Sequence, residues 1–173
     1  MGTQVPLRLS WAVETLGLGP DDRVLEIGCG RGVAAALVLD RLDRGTYLGL
    51  DRSSTAIEAA VRRNRDAVTA GRAGFLTTSL DEAEFEPGSF DKIFAVNVNL
   101  FWTGPAEREP PALRRRLAPG GGLHLYWEAP TEARAGEIGA KVAPAVAGHG
   151  FSVTTLTGHN VGEARLVGIL ATF

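Results

Sequence analysis

Apolar positions Leu9, Val13 and Leu16 recur at helical spacing, so a helix is expected from about Leu7 to Leu16. Gly17 and Gly19 end it, and Pro20-Asp21-Asp22 turns the chain into a short apolar strand, Arg23 to Ile27. A glycine-rich turn follows, then an alanine- and leucine-rich run, Val33 to Leu42, that reads as a buried helix. TYLGLD (46–51) reads as the second strand, and Thr55 with Glu58 has the capping-box spacing of a helix running toward Thr69. GFLTTS (74–79) and FDKIFAVN (90–97) are the third and fourth strands. A short helix, Pro111 to Leu117, stops at Pro119-Gly120-Gly121 ahead of a fifth strand, LHLYWE (123–128). A helix from about Thr131 to Ala147 should be kinked or split at Pro144. Two last strands are joined by a turn around Gly158 to Gly162. Strands alternating with helices predict an α/β protein, a mostly parallel sheet covered on both faces, to which the terminal hairpin adds one antiparallel strand.

Length and charge narrow the function. A chain of 173 residues suits a single domain over 1–173, and 45% hydrophobic with 22% charged residues is the balance of a soluble globular protein. The lone cysteine, Cys29, excludes an internal disulfide. No apolar run approaches the roughly 20 residues of a membrane span, and MGTQVPLRLSW lacks a signal-peptide layout, so a cytoplasmic protein without membrane association is expected. A net charge of −2 argues against nucleic acid as a partner. The arginine clusters at 62, 63 and 65 and at 114 to 116 read as solvated helix faces.

The candidate chemistry sits in VLEIGCGRGVAAALV, residues 24 to 38. A strand, a glycine turn and a helix N-terminus set backbone N–H groups against a ligand. A dinucleotide fingerprint G-x-G-x-x-G started at Gly28 would need its third glycine at Val33, and no G-K-[ST] is present. The pattern is instead Glu26-x-Gly28-x-Gly30-x-Gly32. An acid at the strand end repels pyrophosphate and suits a cationic group. Asp51, ending the second strand, is set to accept hydrogen bonds from a ribose diol. A nucleoside with a cationic tail and no phosphate, such as S-adenosylmethionine, meets both demands.

VLEIGCGRG followed by LGLDRSS, then FEPGSFDKIFAVNVNLFW and LRRRLAPGGGLHLYW, resembles the ordered motifs of the class I S-adenosylmethionine-dependent methyltransferases over about residues 20 to 128. The flavour is that of the small ubiquinone/menaquinone C-methyltransferase-like group. The resemblance implies a Rossmann-like seven-stranded sheet of order 3-2-1-4-5-7-6 with an antiparallel last strand. It implies that Gly28, Gly30 and Gly32, with Cys29 among them, line the methionine half of the cofactor, and that Glu26 supports the turn or meets the amino group through water. Asp51 would hold the ribose, Arg52 would lie along the adenine, Ser79 and Leu80 would meet its edge, and Asn97 and Val98 would run beneath the methionine. Ser79 departs from the family, where an acid is common.

Methyl transfer from a sulfonium is an in-line displacement on an activated donor, so alignment carries most of the catalysis and no metal is expected. Weak candidates for a catalytic group are His159, Asn99 and Glu128; Phe101 and Trp102 could wall an acceptor or merely pack. His124, inside the fifth strand, reads as a satisfied core histidine, and Cys29 has no basic neighbour to activate it. The leading expectation is a small-molecule methyltransferase. The alternatives are a protein or RNA methyltransferase, favoured by a basic stripe of Arg62, Arg63, Arg65 and Arg72, and a non-catalytic cofactor-binding scaffold. So little chain is left for a lid that a homodimer is compatible with the sequence.

Overall fold

Four of the five residues in Arg23–Ile27 are buried, and this strand, β1, lies inside the sheet, third of its seven strands. The computed structural model describes residues 5–99, 109–159 and 164–173. In chain order the elements are α1 (Leu7–Thr15), β1, α2 (Val33–Leu39), β2 (Thr46–Asp51), α3 (Ser54–Arg63), α4 (Arg65–Thr69), β3 (Ala73–Thr77) and β4 (Phe90–Val96). Then come α5 (Glu109–Arg116), β5 (Leu117–Ala129), α6 (Glu132–Ala147), β6 (Ser152–His159) and β7 (Arg165–Thr172).

The sheet order is β3-β2-β1-β4-β5-β7-β6. The first five strands pair in parallel, and β7 runs antiparallel to both β5 and β6, which is the expected arrangement. Successive side chains alternate between the faces. Leu25, Ile27, Leu123, Leu125 and Trp127 join a core closed by Ile138, Val142 and Val146 of α6. Val24, Phe94 and Tyr126 join the opposite core, closed by Val13 and Leu16 at α1 and Val38 of α2. The carboxyl ends of the parallel strands share one edge, where sheets of this kind take their ligands.

Several local expectations change. Ser53, not Thr55, caps α3: its hydroxyl accepts the Ala56 N–H at 3.2 Å. Glu58 turns to Arg62 (3.8 Å) instead of back to a cap. The helix does not reach Thr69 unbroken. It ends at buried Asn64, whose amide donates to the carbonyls of Gly32 (3.0 Å) and Ala60 (2.9 Å), and α4 restarts after it. Asn64→Ala is therefore expected to cost about 1–3 kcal/mol by leaving a buried carbonyl unmet, read as a lower urea midpoint at unchanged slope.

α2 stops at Leu39 rather than Leu42, and Arg72 donates across to the Leu39 and Leu42 carbonyls at 3.4 and 2.6 Å. β5 is longer than expected and runs through Pro119-Gly120-Gly121. The extra residues are absorbed by a register shift between Phe90 and Lys92 of β4. α6 continues through Pro144, which lies near its C-terminal end and forfeits only one N–H, while Val142 and Val146 keep it on the sheet. Gly158 and His159 belong to β6, and the rest of the expected turn lies outside the described residues. Among the described residues no helix is long and apolar enough to cross a membrane.

Candidate functional site

Between β1 and α2 the chain turns through Gly28, Gly30 and Gly32, all with positive φ. At Gly28 (φ 72°) an added Cβ would stand 2.7 Å from a methyl of Val98. At Gly32 (φ 69°) it would stand 2.6 Å from the Asn64 amide and 3.0 Å from the Ala60 backbone. Glycine is thus required at both ends of the turn, by backbone conformation and by space. The Gly28 and Cys29 N–H groups both donate to the Leu50 carbonyl, at 2.8 and 2.9 Å.

Asp51 ends β2 beside this turn. One carboxylate oxygen accepts the Gly30 N–H and the other the Ser53 N–H, each at 2.9 Å. A carboxylate oxygen can take two donors, so both retain capacity for a ligand hydroxyl. Asn97 follows β4 with φ 56°, the one positive value among described non-glycine residues. Two bonds fix it there: its N–H donates to the Tyr126 carbonyl, and its Oδ1 accepts the Glu128 N–H, both at 2.8 Å. Strain held at a strand end by such bonds is a common mark of a binding site.

A cavity of about 520 Å³ opens over these strand ends. Of the residues named from sequence, Gly28, Asp51, Arg52, Ser79, Leu80, Asn97, Val98 and Asn99 line it. Asp81, which the sequence offers as a substitute for Ser79, also lines it, as does Thr78, which was not assigned a place there. The Ser79 hydroxyl donates to Glu82 at 2.7 Å. Ser79, the Asp81 backbone N–H and the nearby Arg52 guanidinium hold the Asp81 carboxyl below the usual range. The acidic loop thus supplies charge where Ser79 has none. A larger hollow, about 720 Å³, is bounded by Glu84, Phe85, Arg115 and Arg116; it has no strand-end backbone and no glycine turn.

Glu26, Cys29, Gly30 and Gly32 are not among the residues lining the cavity. Glu26 is only 3% exposed and accepts the Tyr47 hydroxyl, a partner the sequence did not reveal. Burial raises its carboxyl to about 8, Tyr47 opposes the rise, and Asp51 adds to it. Burial, with the Glu26 and Asp51 carboxylates, pushes the Cys29 thiol up as well, so it is no nucleophile.

The candidate catalytic groups are scattered. Glu128 accepts from Arg8 at 3.0 Å and lies at the end of β5. His159 ends β6, separated from β4 by β5 and β7, and lines a different hollow of about 440 Å³ against α6. Asn99 is the one candidate of the three at the 520 Å³ cavity. Phe101 and Trp102 lie outside the described residues. His124 is buried but not satisfied: the Tyr126 hydroxyl stands 3.5 Å from Nδ1, and Nε2 has no partner among the described residues. Desolvation first, then Lys92, lowers it to about 3. Among the described residues no three His, Cys, Asp or Glu side chains group as a metal site.

Residues 24–121, more than half of the chain and including the turn, Asp51 and Asn97, match the family described as "Methyltransferase domain". The chain belongs to the methyltransferase domain family. This methyltransferase domain is 32% identical over 125 residues to the protein-L-isoaspartate O-methyltransferase of Anaeromyxobacter dehalogenans (strain 2CP-C), covering 69% of this chain and 53% of that protein. It is 29% identical over 108 residues to the trans-aconitate 2-methyltransferase of Paracidovorax citrulli (strain AAC00-1), covering 62% and 39%. The methyltransferase domain thus spans about half or less of the length of these curated relatives. Its fold matches the geranyl diphosphate C-methyltransferase of Streptomyces coelicolor A3(2), solved with Mg2+, geranyl diphosphate and S-adenosyl-L-homocysteine. The TM-score is 0.74 at 16% identity over 95% of this chain and 78% of that one.

Proposed function

We propose that this domain binds S-adenosylmethionine in the 520 Å³ cavity and transfers its methyl group to a small-molecule acceptor. The observation that carries this reading is the meeting of the glycine turn, the Asp51 carboxylate and the Asn97 strand end around one cavity. Asp51 would hold the ribose hydroxyls, Arg52 and Leu80 would flank the adenine, and Ser79 with Asp81 would meet its exocyclic amine. Gly28, Gly30 and Gly32, with Cys29, would carry the methionine half across the turn, and Asn97 and Val98 would lie beneath it. The cavity suits the group: it offers acceptors for hydroxyls and amines, and side chains at Gly28 and Gly32 would crowd it or its turn.

When bound, S-adenosylmethionine supplies a methyl group on a sulfonium that is already a good leaving group. The chain's own task is alignment of acceptor, methyl and sulfur, which can lower the barrier by several kcal/mol. The proposed transfer needs no metal for that reason. Within the family we assign the chain to the small ubiquinone/menaquinone C-methyltransferase-like group, a reading supported by the order of its motifs.

The basic stripe that would favour a protein or RNA acceptor is broken: Arg72 is turned inward onto the Leu39 and Leu42 carbonyls and Arg63 donates to the Arg31 carbonyl, while Arg62 and Arg65 stay exposed.

Calorimetric titration with S-adenosylmethionine, S-adenosylhomocysteine and, as control, NAD tests the reading. The first two should bind and NAD should not; no binding of S-adenosylmethionine would overturn it. Asp51→Ala should weaken binding by about 1–3 kcal/mol, roughly 5- to 150-fold in Kd. Unchanged affinity would remove Asp51 from the ribose.

A further inference from the structure

Glu26 is a buried acid whose Oε2 accepts the Tyr47 hydroxyl. Both side chains lie inside the core, on the face of the sheet that β1 shares with β2. Gly49 sits opposite Glu26 in the strand register, and the space a side chain would take there is filled by Cys29 and Phe75.

Among the described residues, the groups that act on Glu26 include no cation. β2 contributes Tyr47 and the Asp51 carboxylate, and the turn contributes the Cys29 thiol, itself uncharged. β4 places Phe94 beside Glu26 in register, and its Lys92 acts on His124. On that face α2 carries no charge, Arg8 of α1 reaches Glu128, and Glu14 of α1 is exposed. A carboxyl buried with one hydroxyl partner and a carboxylate nearby keeps its proton at neutral pH. That agrees with its value of about 8.

We propose that Glu26, beside the Tyr47 hydroxyl, holds a proton in the empty site and gives it up when a cationic nucleoside binds over the glycine turn. The inference rests on the reading of S-adenosylmethionine as the ligand. The ligand arrives already positive; the Glu26 O–H bond breaks, the proton goes to solvent, and the carboxylate left behind balances the charge brought in. Binding is therefore linked to proton release, and affinity should strengthen as pH rises toward 8.

Calorimetric titration of the full chain with S-adenosylmethionine at pH 7, in phosphate and in Tris, reads the protons released from the difference in heat. The wild type should release between about half and one proton more than Glu26→Gln, as a carboxyl near 8 requires. The ligand's own ammonium titrates alike in both proteins, so the difference isolates Glu26. From pH 6 to 7 the ratio of wild-type to Glu26→Gln affinity should rise by close to tenfold.

Tyr47→Phe provides a second arm that keeps the acid. Loss of the hydroxyl leaves Glu26 more firmly protonated, so proton release persists at pH 7 and the pH at which affinity levels off moves upward. Equal proton release in wild type and Glu26→Gln, or a Tyr47→Phe pH profile that matches wild type, would overturn the coupling. Failure of S-adenosylmethionine to bind the wild type at any pH would instead overturn the functional reading on which it rests.

Discussion

Gly32→Ala should destabilise the domain by about 2–5 kcal/mol, the sum of a left-handed backbone for an L-residue (about 1–2) and overpacking (about 1–3). The added methyl would meet the Asn64 amide at 2.6 Å and Ala60 at 2.9 and 3.0 Å. Neither neighbour can yield cheaply, because the amide is held by two carbonyls and Ala60 presents its own backbone. Gly30→Ala is the control. Its φ is 52°, yet nothing lies within 4 Å of the new methyl, so only the backbone cost of about 1–2 kcal/mol applies. Urea unfolding of the two variants reads the difference directly. Equal midpoints would show that α3 does not pack against the turn as described.

The second large effect is in the pH dependence of stability. Folded Glu26 keeps its proton up to about pH 8, whereas the unfolded chain loses it above about 4.5. Rising pH therefore favours the unfolded chain across that window. Folded His124 stays neutral down to about pH 3, whereas the unfolded imidazole takes a proton below about 6.5, so rising pH favours the folded chain up to that point. Each contributes a slope of about 1.4 kcal/mol per pH unit, and between about 4.5 and 6.5 the two cancel. Above 6.5 Glu26 acts alone, and the wild type should lose about 2 kcal/mol by pH 8.

Glu26→Gln removes one arm of that balance. Its stability should rise by about 3 kcal/mol from pH 4.5 to 6.5 and then stay level to pH 8. The lowered carboxyls of Asp21, Asp81 and Asp91 act below their usual 3.8, outside this range. Urea midpoints at half-unit steps of pH would show the crossing of the two curves. Parallel curves would mean that Glu26 ionises alike in the folded and unfolded chains.

The strands and the glycine turn were legible because their apolar runs are short, β-rich and bounded by turn residues. The strand order was legible only through the resemblance of four motifs, since periodicity carries no information on which strands are neighbours. The Ser53 cap was hidden by three adjacent hydroxyl residues, and the spacing of Thr55 to Glu58 favoured the wrong one. The long β5 was hidden because Pro119-Gly120-Gly121 looks like a stop, and only the register shift on β4 lets it continue. Tyr47 was out of reach for a related reason: its partner Glu26 is 21 residues away, on another strand. The cavity residues Gly28, Asp51 and Asn97 could be named because each ends a strand or opens a turn. Acceptor contacts have no such marker.

Asp51 is occupied before any ligand arrives, tying Gly30 on one side and Ser53 on the other. The carboxylate therefore restrains two segments that would otherwise each lose conformational freedom on binding, a cost that ordinarily falls on the ligand's affinity. Affinity lost in Asp51→Ala then has two sources, the missing acceptor and the loosened turn. Asp51→Asn could still accept one of the two N–H groups through its amide oxygen. Part of what Asp51 contributes is thus entropic and belongs to the empty protein as much as to the filled one.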